Sequence, residues 1–366
     1  MNSFQFLQKY KIFPVNSLIS PLSIPESGAY YPFDFGEING EQVGVVNIFI
    51  HGPCEFNPHH SDAKSGMESW IDKHSLFPKG SEEIKLKFFK GNYASLMAYV
   101  YPTASQKGLT LSACFGAWLF VHDDFRDRPN ITTETVLRMN DMVNKVLDDE
   151  SYQPMQSSEF YAITSSLRDL LLGFKDFGDT QYLKQEIKNY LNENVWESEN
   201  RSKKTIPNLP DYTRHRRFTS AVQAAFEVGF LILNHQLSFE ERNGSTFKNV
   251  TESGCNAVGY VNDIVSLKKE IKEEIAENLV VVVKYTAEPA RNWKESIEFC
   301  QKHHYHLEVR NFKKNRKGNA YEKVIDDWIK GSTVWSLSKT FPWGTPRYAS
   351  WANQKVQEFY STWARD

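Results

Sequence analysis

The sequence is short of cysteine, of long apolar runs and of charge in excess of one sign, and each shortage removes a class of protein. Its 366 residues hold four cysteines, Cys54, Cys114, Cys255 and Cys300, widely spaced and in no CxxC pair. That spacing argues against a cysteine zinc site and a disulfide framework and for a reducing compartment. No apolar stretch reaches about 18 residues, so no segment qualifies as a membrane-spanning helix. The formal net charge is −2, which gives no global basic field for nucleic acid. The stretch "MNSFQFLQKYKIFPVNSLISPLSIP" lacks a basic n-region and an unbroken apolar h-region, so a signal peptide is not expected and a cytoplasmic location is. Glycine and proline are scattered without period, which excludes collagen-like and low-complexity readings. There is no internal repeat and no alternation of strand and helix patterns.

What is present is apolar and aromatic. Hydrophobic residues make up 40% and aromatics 14%, enough for a sizeable core or a large apolar pocket. Residues 1–55 are rich in Pro, Gly and aromatics, and "FDFGEINGEQVGVVNIFI" alternates around Asn39-Gly40, a type I′ turn signal that predicts a small hairpin. From residue 56 to 366 the period becomes helical. The runs at 160–174, 181–198 and 218–234 carry apolar residues three and four apart. Connections contain Pro or Gly, as in "YPTAS" and "KKTIPNLPDY". These features predict one all-α domain of helices roughly 12–20 residues long, with an N-terminal extension of unassigned role.

The chemistry concentrates in two places. "FVHDDFRD", residues 120–127, follows the apolar run "LSACFGAWLF" and places Asp123, Asp124 and Asp127 within five positions. On a helix Asp123 and Asp127 stand one turn apart on one face. Hard oxygen ligands at that spacing suit Mg²⁺, which combines carboxylates with phosphate oxygens and water. A solvated helix end has the same look, so this motif alone decides little. The second place is "YVNDIVSLKKE", where Asn262, Ser266 and Glu270 stand at i, i+4 and i+8. Two such steps drift by only about 80° around a helix, so an amide, a hydroxyl and a carboxylate line one stripe. Asn and Ser are poor choices for a helix interior, which calls for a reason beyond helix formation.

Together these residues resemble the class I terpene synthases, most closely those of microbes and social amoebae. The resemblance spans roughly residues 57–355. It rests on the aspartate-rich motif, the N-D-x-x-S-x-x-x-E motif and, in family order, "NPHH", "AYVYPTAS", "IPNLPDYTRHRRFTS", "AENLVVVV" and "PRY". It implies the family's α-helical bundle, with Asp123 binding two Mg²⁺ ions, Asn262, Ser266 and Glu270 a third, and Asp124 and Asp127 in support. Mn²⁺ is the expected substitute ion. The repulsion within the aspartate cluster is then relieved by divalent ions that arrive with a diphosphate.

The resemblance also implies a diphosphate-sensing arginine 46 residues before Asn262, which is Arg216. The linker and effector positions that follow are Thr219 and Ser220, the latter a departure from the family's frequent glycine. Lys269 and the pair Arg347–Tyr348 match further diphosphate binders. An arginine fork suits phosphate oxygens because it donates in parallel from two nitrogens. Phe120, one turn deeper on the Asp123 face, and Trp335 are candidates to stabilise carbocations, with ordinary core packing as the alternative for Phe120 and Trp343 as the alternative to Trp335.

The implied activity is a Mg²⁺-dependent terpene cyclase acting on an acyclic prenyl diphosphate. Farnesyl diphosphate comes first as substrate and geranylgeranyl diphosphate second. A chain-elongating prenyltransferase would carry a second aspartate-rich motif where this sequence has Asn262, Ser266 and Glu270. A silent prenyl-lipid binder would have no use for the intact ligand set. The expected partner is the small-molecule substrate, without nucleic acid or membrane span, in a monomer or homodimer.

Overall fold

The computed structural model describes residues 11–12, 29–128, 131–149 and 151–337. Arg347, Tyr348 and Trp343 lie outside the described residues.

The expected all-α architecture is present: helices form the body, and the short strands of the described residues join only in two-stranded pairs. Two helices dominate. The aspartate helix, Gln106–Arg126, starts where the Ser105 hydroxyl accepts from the Gly108 amide at 3.2 Å, a side-chain cap that satisfies one of the first-turn donors. Its middle is buried on nearly every side, from Ser112 to Trp118, as befits a central helix. The second, Ser245–Lys272, runs 28 residues and is buried along most of its length. It packs against Ala320–Leu337, which in turn packs on Tyr93–Val100. Glycines permit these contacts. A β-carbon at Gly254 would come within 2.3 Å of the Ile325 side chain, and one at Gly331 within 2.8 Å of the Tyr99 backbone.

The run at 218–234, expected as one helix, is split. Leu209–Thr219 ends at Ser220 and Val222–Ile232 begins after Ala221. Ala221 takes a left-handed conformation with φ of 57°, which cannot continue a right-handed helix.

The expected hairpin forms. Ala29–Asp34 pairs antiparallel with Val45–Ile50, and the inner turn puts Asn39 and Gly40 at φ of 50° and 84°. Both central residues of a type I′ turn require positive φ. This segment is not a loose tail. Phe33, Phe35, Ile48 and Phe49 are buried in the same core as the helices. The Val45–Ile50 strand is tied to the body by Gln301, which accepts from the Phe49 amide at 3.1 Å and donates to the Asn47 carbonyl at 2.8 Å.

The motif "NPHH" serves the fold. The buried Asn57 amide donates to the carbonyls of Tyr101 and Ala104 at 2.8 and 2.9 Å, which fixes the entry into the aspartate helix. All four cysteines are free. Among the described residues no helix is long and apolar enough to cross a membrane.

Candidate active site

A cavity of about 1170 Å³, its open mouth included, lies between the aspartate helix, the Ser245–Lys272 helix and the broken pair at Ala221. Its polar lining includes Asp123, Asp127, Arg216, Asn262, Lys269 and Glu270, and its apolar lining includes Leu96, Met97, Phe120, Val222, Trp328 and Trp335. Two motifs separated by more than a hundred residues therefore share one chamber. Asp124 and Ser266 are not among the lining residues.

Helix geometry explains the aspartates. Asp123 is in the last turn of its helix and Asp127 caps it, with the Asp127 amide donating to the Asp123 carbonyl at 3.0 Å. The positive charge that offsets them comes from within the chain. Arg126 donates to Asp123 at 2.7 Å, lies 3.5 Å from Asp127 and pairs with Glu197. Arg201 pairs with Asp127 at 3.1 Å and lies 3.7 Å from Glu277. All of these side chains line the cavity. Glu277 is buried with neither carboxylate oxygen hydrogen-bonded, and burial pushes its carboxyl up against the partial offset from Arg201.

On the opposite helix the Asn262 carbonyl accepts from Arg216 at 3.0 Å and Glu270 accepts from Asn278 at 2.7 Å. Burial, with the neighbouring Asp263 charge, pushes the Glu270 carboxyl up to about 7, while Lys269 pulls the other way. The Ser266 hydroxyl is buried and lacks a well-formed hydrogen bond. A buried acid beside a hydroxyl and an amide oxygen is a donor set for a small hard cation. Among the described residues no three His, Cys, Asp or Glu side chains converge into a cage. An ion here would complete its shell with amide, hydroxyl, water and ligand oxygens, which is how Mg²⁺ is commonly held.

The basic run sorts itself by partner. Arg214 pairs with Asp211, His215 stacks on Trp196 at 4.1 Å, and Arg217 pairs with Glu252 at 2.9 Å. Arg216 alone of the four lines the cavity. Its guanidinium is held by Asp263 at 2.7 Å, and Asp263 in turn accepts from the Tyr212 hydroxyl at 2.8 Å and the Leu279 amide at 3.1 Å. Thr219, Ser220 and Ala221 line the cavity directly after it. The break falls on Ala221, so Ser220 itself keeps a helical φ of −71° and needs no glycine. Lys269, buried, pairs with Glu273 at 2.7 Å.

Deeper in, Phe120 stacks on Tyr93 with ring centroids 4.0 Å apart, and Trp335 stands 6.3 Å from Phe120. The Trp335 indole donates to the Asn92 carbonyl at 3.2 Å. Gly116 leaves a hollow that the tip of Met97 fills, since a β-carbon there would meet it at 2.5 Å. Sequence reasoning did not single out Arg126, Glu197, Arg201, Asp263 or Glu277. Arg126 had a visible signal, its place three residues after Asp123.

Comparison with known proteins places the chain in a family. Residues 114–308 match the family model described as "Terpene synthase family 2, C-terminal metal binding". A (+)-T-muurolol synthase of Roseiflexus castenholzii, named as cyclizing (2E,6E)-farnesyl diphosphate, is 26% identical over 78% of this chain and 89% of its own. A 4-epi-cubebol synthase of Streptosporangium roseum, also named as cyclizing (2E,6E)-farnesyl diphosphate, is 25% identical over 81% of this chain and 93% of its own. Among solved structures, a linalool/nerolidol synthase from Streptomyces clavuligerus in complex with 2-fluorogeranyl diphosphate superposes with a TM-score of 0.68. It is 16% identical and covers 80% of this chain and 99% of its own, a likeness of fold.

Proposed function

The chain belongs to terpene synthase family 2, with its metal-binding domain, and from that premise we propose that it cyclises farnesyl diphosphate to a sesquiterpene with release of diphosphate. The observation that supports this most is the joining of two oxygen-donor sets and Arg216 with an aromatic, apolar interior in one cavity. The relatives' printed activities on (2E,6E)-farnesyl diphosphate favour that substrate.

In this reading Asp123, with Asp127 and Asp124 in support, would hold divalent metal at the aspartate motif, and Asn262, Ser266 and Glu270 would hold it at the other. Three bound Mg²⁺ ions, with Mn²⁺ as a substitute, would neutralise charge on the departing diphosphate. Arg216 and Lys269 line the cavity where they would donate to the diphosphate oxygens, a stabilisation realised as the leaving group gains charge. The allylic C–O bond breaks heterolytically and its electron pair leaves with the diphosphate. The chain's alkenes then supply π electrons to the cation, and loss of a proton or capture of water ends the sequence. The apolar walls exclude water from the cation until that point. Phe120 and Trp335, which line the cavity, would stabilise the cation through their π systems, each by about 2 kcal/mol when desolvated.

The test is incubation with C10, C15 and C20 prenyl diphosphates and Mg²⁺, with volatile products identified by gas chromatography–mass spectrometry. Cyclic C15 products are expected. C20 products alone would replace the substrate. A longer diphosphate formed on adding isopentenyl diphosphate would replace the reaction with chain elongation.

A further inference from the structure

We propose that Arg126 is a built-in counter-ion of the acidic motif: it occupies the Asp123 carboxylate in the free protein and competes with divalent cations for it, so that metal binds well only together with diphosphate. This rests on the reading of Asp123 as a metal ligand.

The geometry is that of an exchangeable partner. Arg126 is 4% exposed and lies among three carboxylates, donating from Nη2 to Asp123 at 2.7 Å and from Nη1 to Glu197, with Asp127 3.5 Å from Nη2. Glu197 comes from the neighbouring helix Gln181–Lys203, is itself buried and belongs to neither metal motif. A buried guanidinium stripped of its only acid is strongly destabilising. With Glu197 in place, Arg126 stays paired when Asp123 is taken from it. The arrangement repeats beside it, where Arg201 holds Asp127 and has Glu277 as its second acid. Each aspartate lining the cavity is thus held by a guanidinium that has a second acid to fall back on.

A cation arriving alone must break the charge-assisted hydrogen bond from Arg126 to Asp123 and then sit beside the freed positive charge. A cation arriving with diphosphate brings the negative charge that offsets both. Arg126 in this scheme is a positioning residue that acts through Asp123, and it sets the order of assembly without touching the reacting atoms.

The experiment is Mn²⁺ binding to the full chain, followed by electron paramagnetic resonance, with and without inorganic diphosphate. The variant is R126Q/E197Q, which removes one charge of each sign and leaves an amide pair. Without diphosphate, Mn²⁺ should bind the variant about tenfold more tightly than wild type, the worth of one charge-assisted hydrogen bond. By linkage, the enhancement of Mn²⁺ binding by diphosphate should shrink. Unchanged or weaker Mn²⁺ binding in a variant with native circular dichroism overturns the proposal. Should the double variant fail to fold, Arg126→Lys decides: an ammonium keeps charge beside Glu197 but cannot bridge both acids, so tighter Mn²⁺ binding supports the proposal and unchanged or weaker binding overturns it. Asp123→Asn is measured alongside. If it binds Mn²⁺ and diphosphate as wild type does, the metal reading of Asp123 fails, which is distinct from failure of the competition by Arg126.

Discussion

Arg216 donates from Nη2 to the Asn262 carbonyl oxygen at 3.0 Å, which joins the basic run of one helix to the Asn-Ser-Glu stripe of another. The same guanidinium rests on Asp263, so its plane is fixed by two neighbouring side chains of one helix. In the proposed reading a diphosphate drawn to Arg216 would act on the asparagine of the metal set as well. Arg216→Lys should lower kcat/KM for farnesyl diphosphate by about a hundredfold, because an ammonium cannot hold Asn262, Asp263 and phosphate in one plane. Arg217→Lys should stay near wild type, since Arg217 pairs with Glu252 and does not line the cavity. The reverse pattern would move the sensor by one residue.

Asp123→Asn and Glu270→Gln should each abolish turnover while far-UV circular dichroism stays native, because each removes an anionic oxygen and little volume. Near-normal diphosphate release in either variant would sink the metal assignment at that position.

Much of this site was legible because helical periodicity converts spacing into a shared face. A four-residue step sets Asp123 and Asp127 at the end of one helix, and two such steps set Asn262 and Glu270 on another, all four lining the cavity, while Ser266 between the latter two does not. Periodicity says nothing of which helices meet. The Arg126–Glu197 pair joins side chains 71 positions apart, and Glu197 sits in a run of acidic and amide residues with no local mark of burial. The break at Ala221 escaped for a different reason: an alanine is a strong helix former, and its left-handed conformation is imposed by tertiary packing against its propensity.

Gly331→Ala tests the packing that shapes the cavity wall. The new β-carbon would stand 2.8 Å from the Tyr99 carbonyl carbon and oxygen, and backbone atoms cannot rotate away. The helix carrying Trp335 must shift, at a cost of about 1–3 kcal/mol. A lowered midpoint in urea is expected, whereas Gly80→Ala, with open space around its α-carbon, is strained only by its φ of 88°. Equal stability of wild type and Gly331→Ala would refute the close contact.

His60 makes stability depend on pH. It is buried with Nε2 2.9 Å from the Ser95 hydroxyl, and burial pushes its pKa from 6.5 down to about 4. Between those values the unfolded chain binds a proton that the folded protein refuses. Its contribution is therefore complete above about pH 6.5 and is lost as pH falls toward 4. Relative to His60→Gln, wild type should lose about 1.4 kcal/mol more per pH unit across that window. Urea denaturation of both proteins at pH 5, 6 and 7 measures it, and parallel curves would show that His60 accepts a proton in the folded state.

A substitution at Phe120 tests whether ionisation can be separated from the fate of the cation. It lines the cavity one turn below Asp123 and stacks on Tyr93, so it is both a wall and a packing partner. Phe120→Leu keeps the wall apolar and roughly filled but removes the π face. Losing about 2 kcal/mol of cation stabilisation shifts partitioning between competing cation fates by roughly thirtyfold. In the proposed reading diphosphate release depends on the oxygen donors and Arg216 rather than on this ring, and it should persist. Products should move toward acyclic or early-quenched compounds in the mass-spectrometric profile. An unchanged profile would make Phe120 a packing residue, with Tyr93 its reason for being there. Loss of release together with loss of native circular dichroism would assign it the same role, because a ring needed only for the cation can be removed without unfolding the helix that carries it.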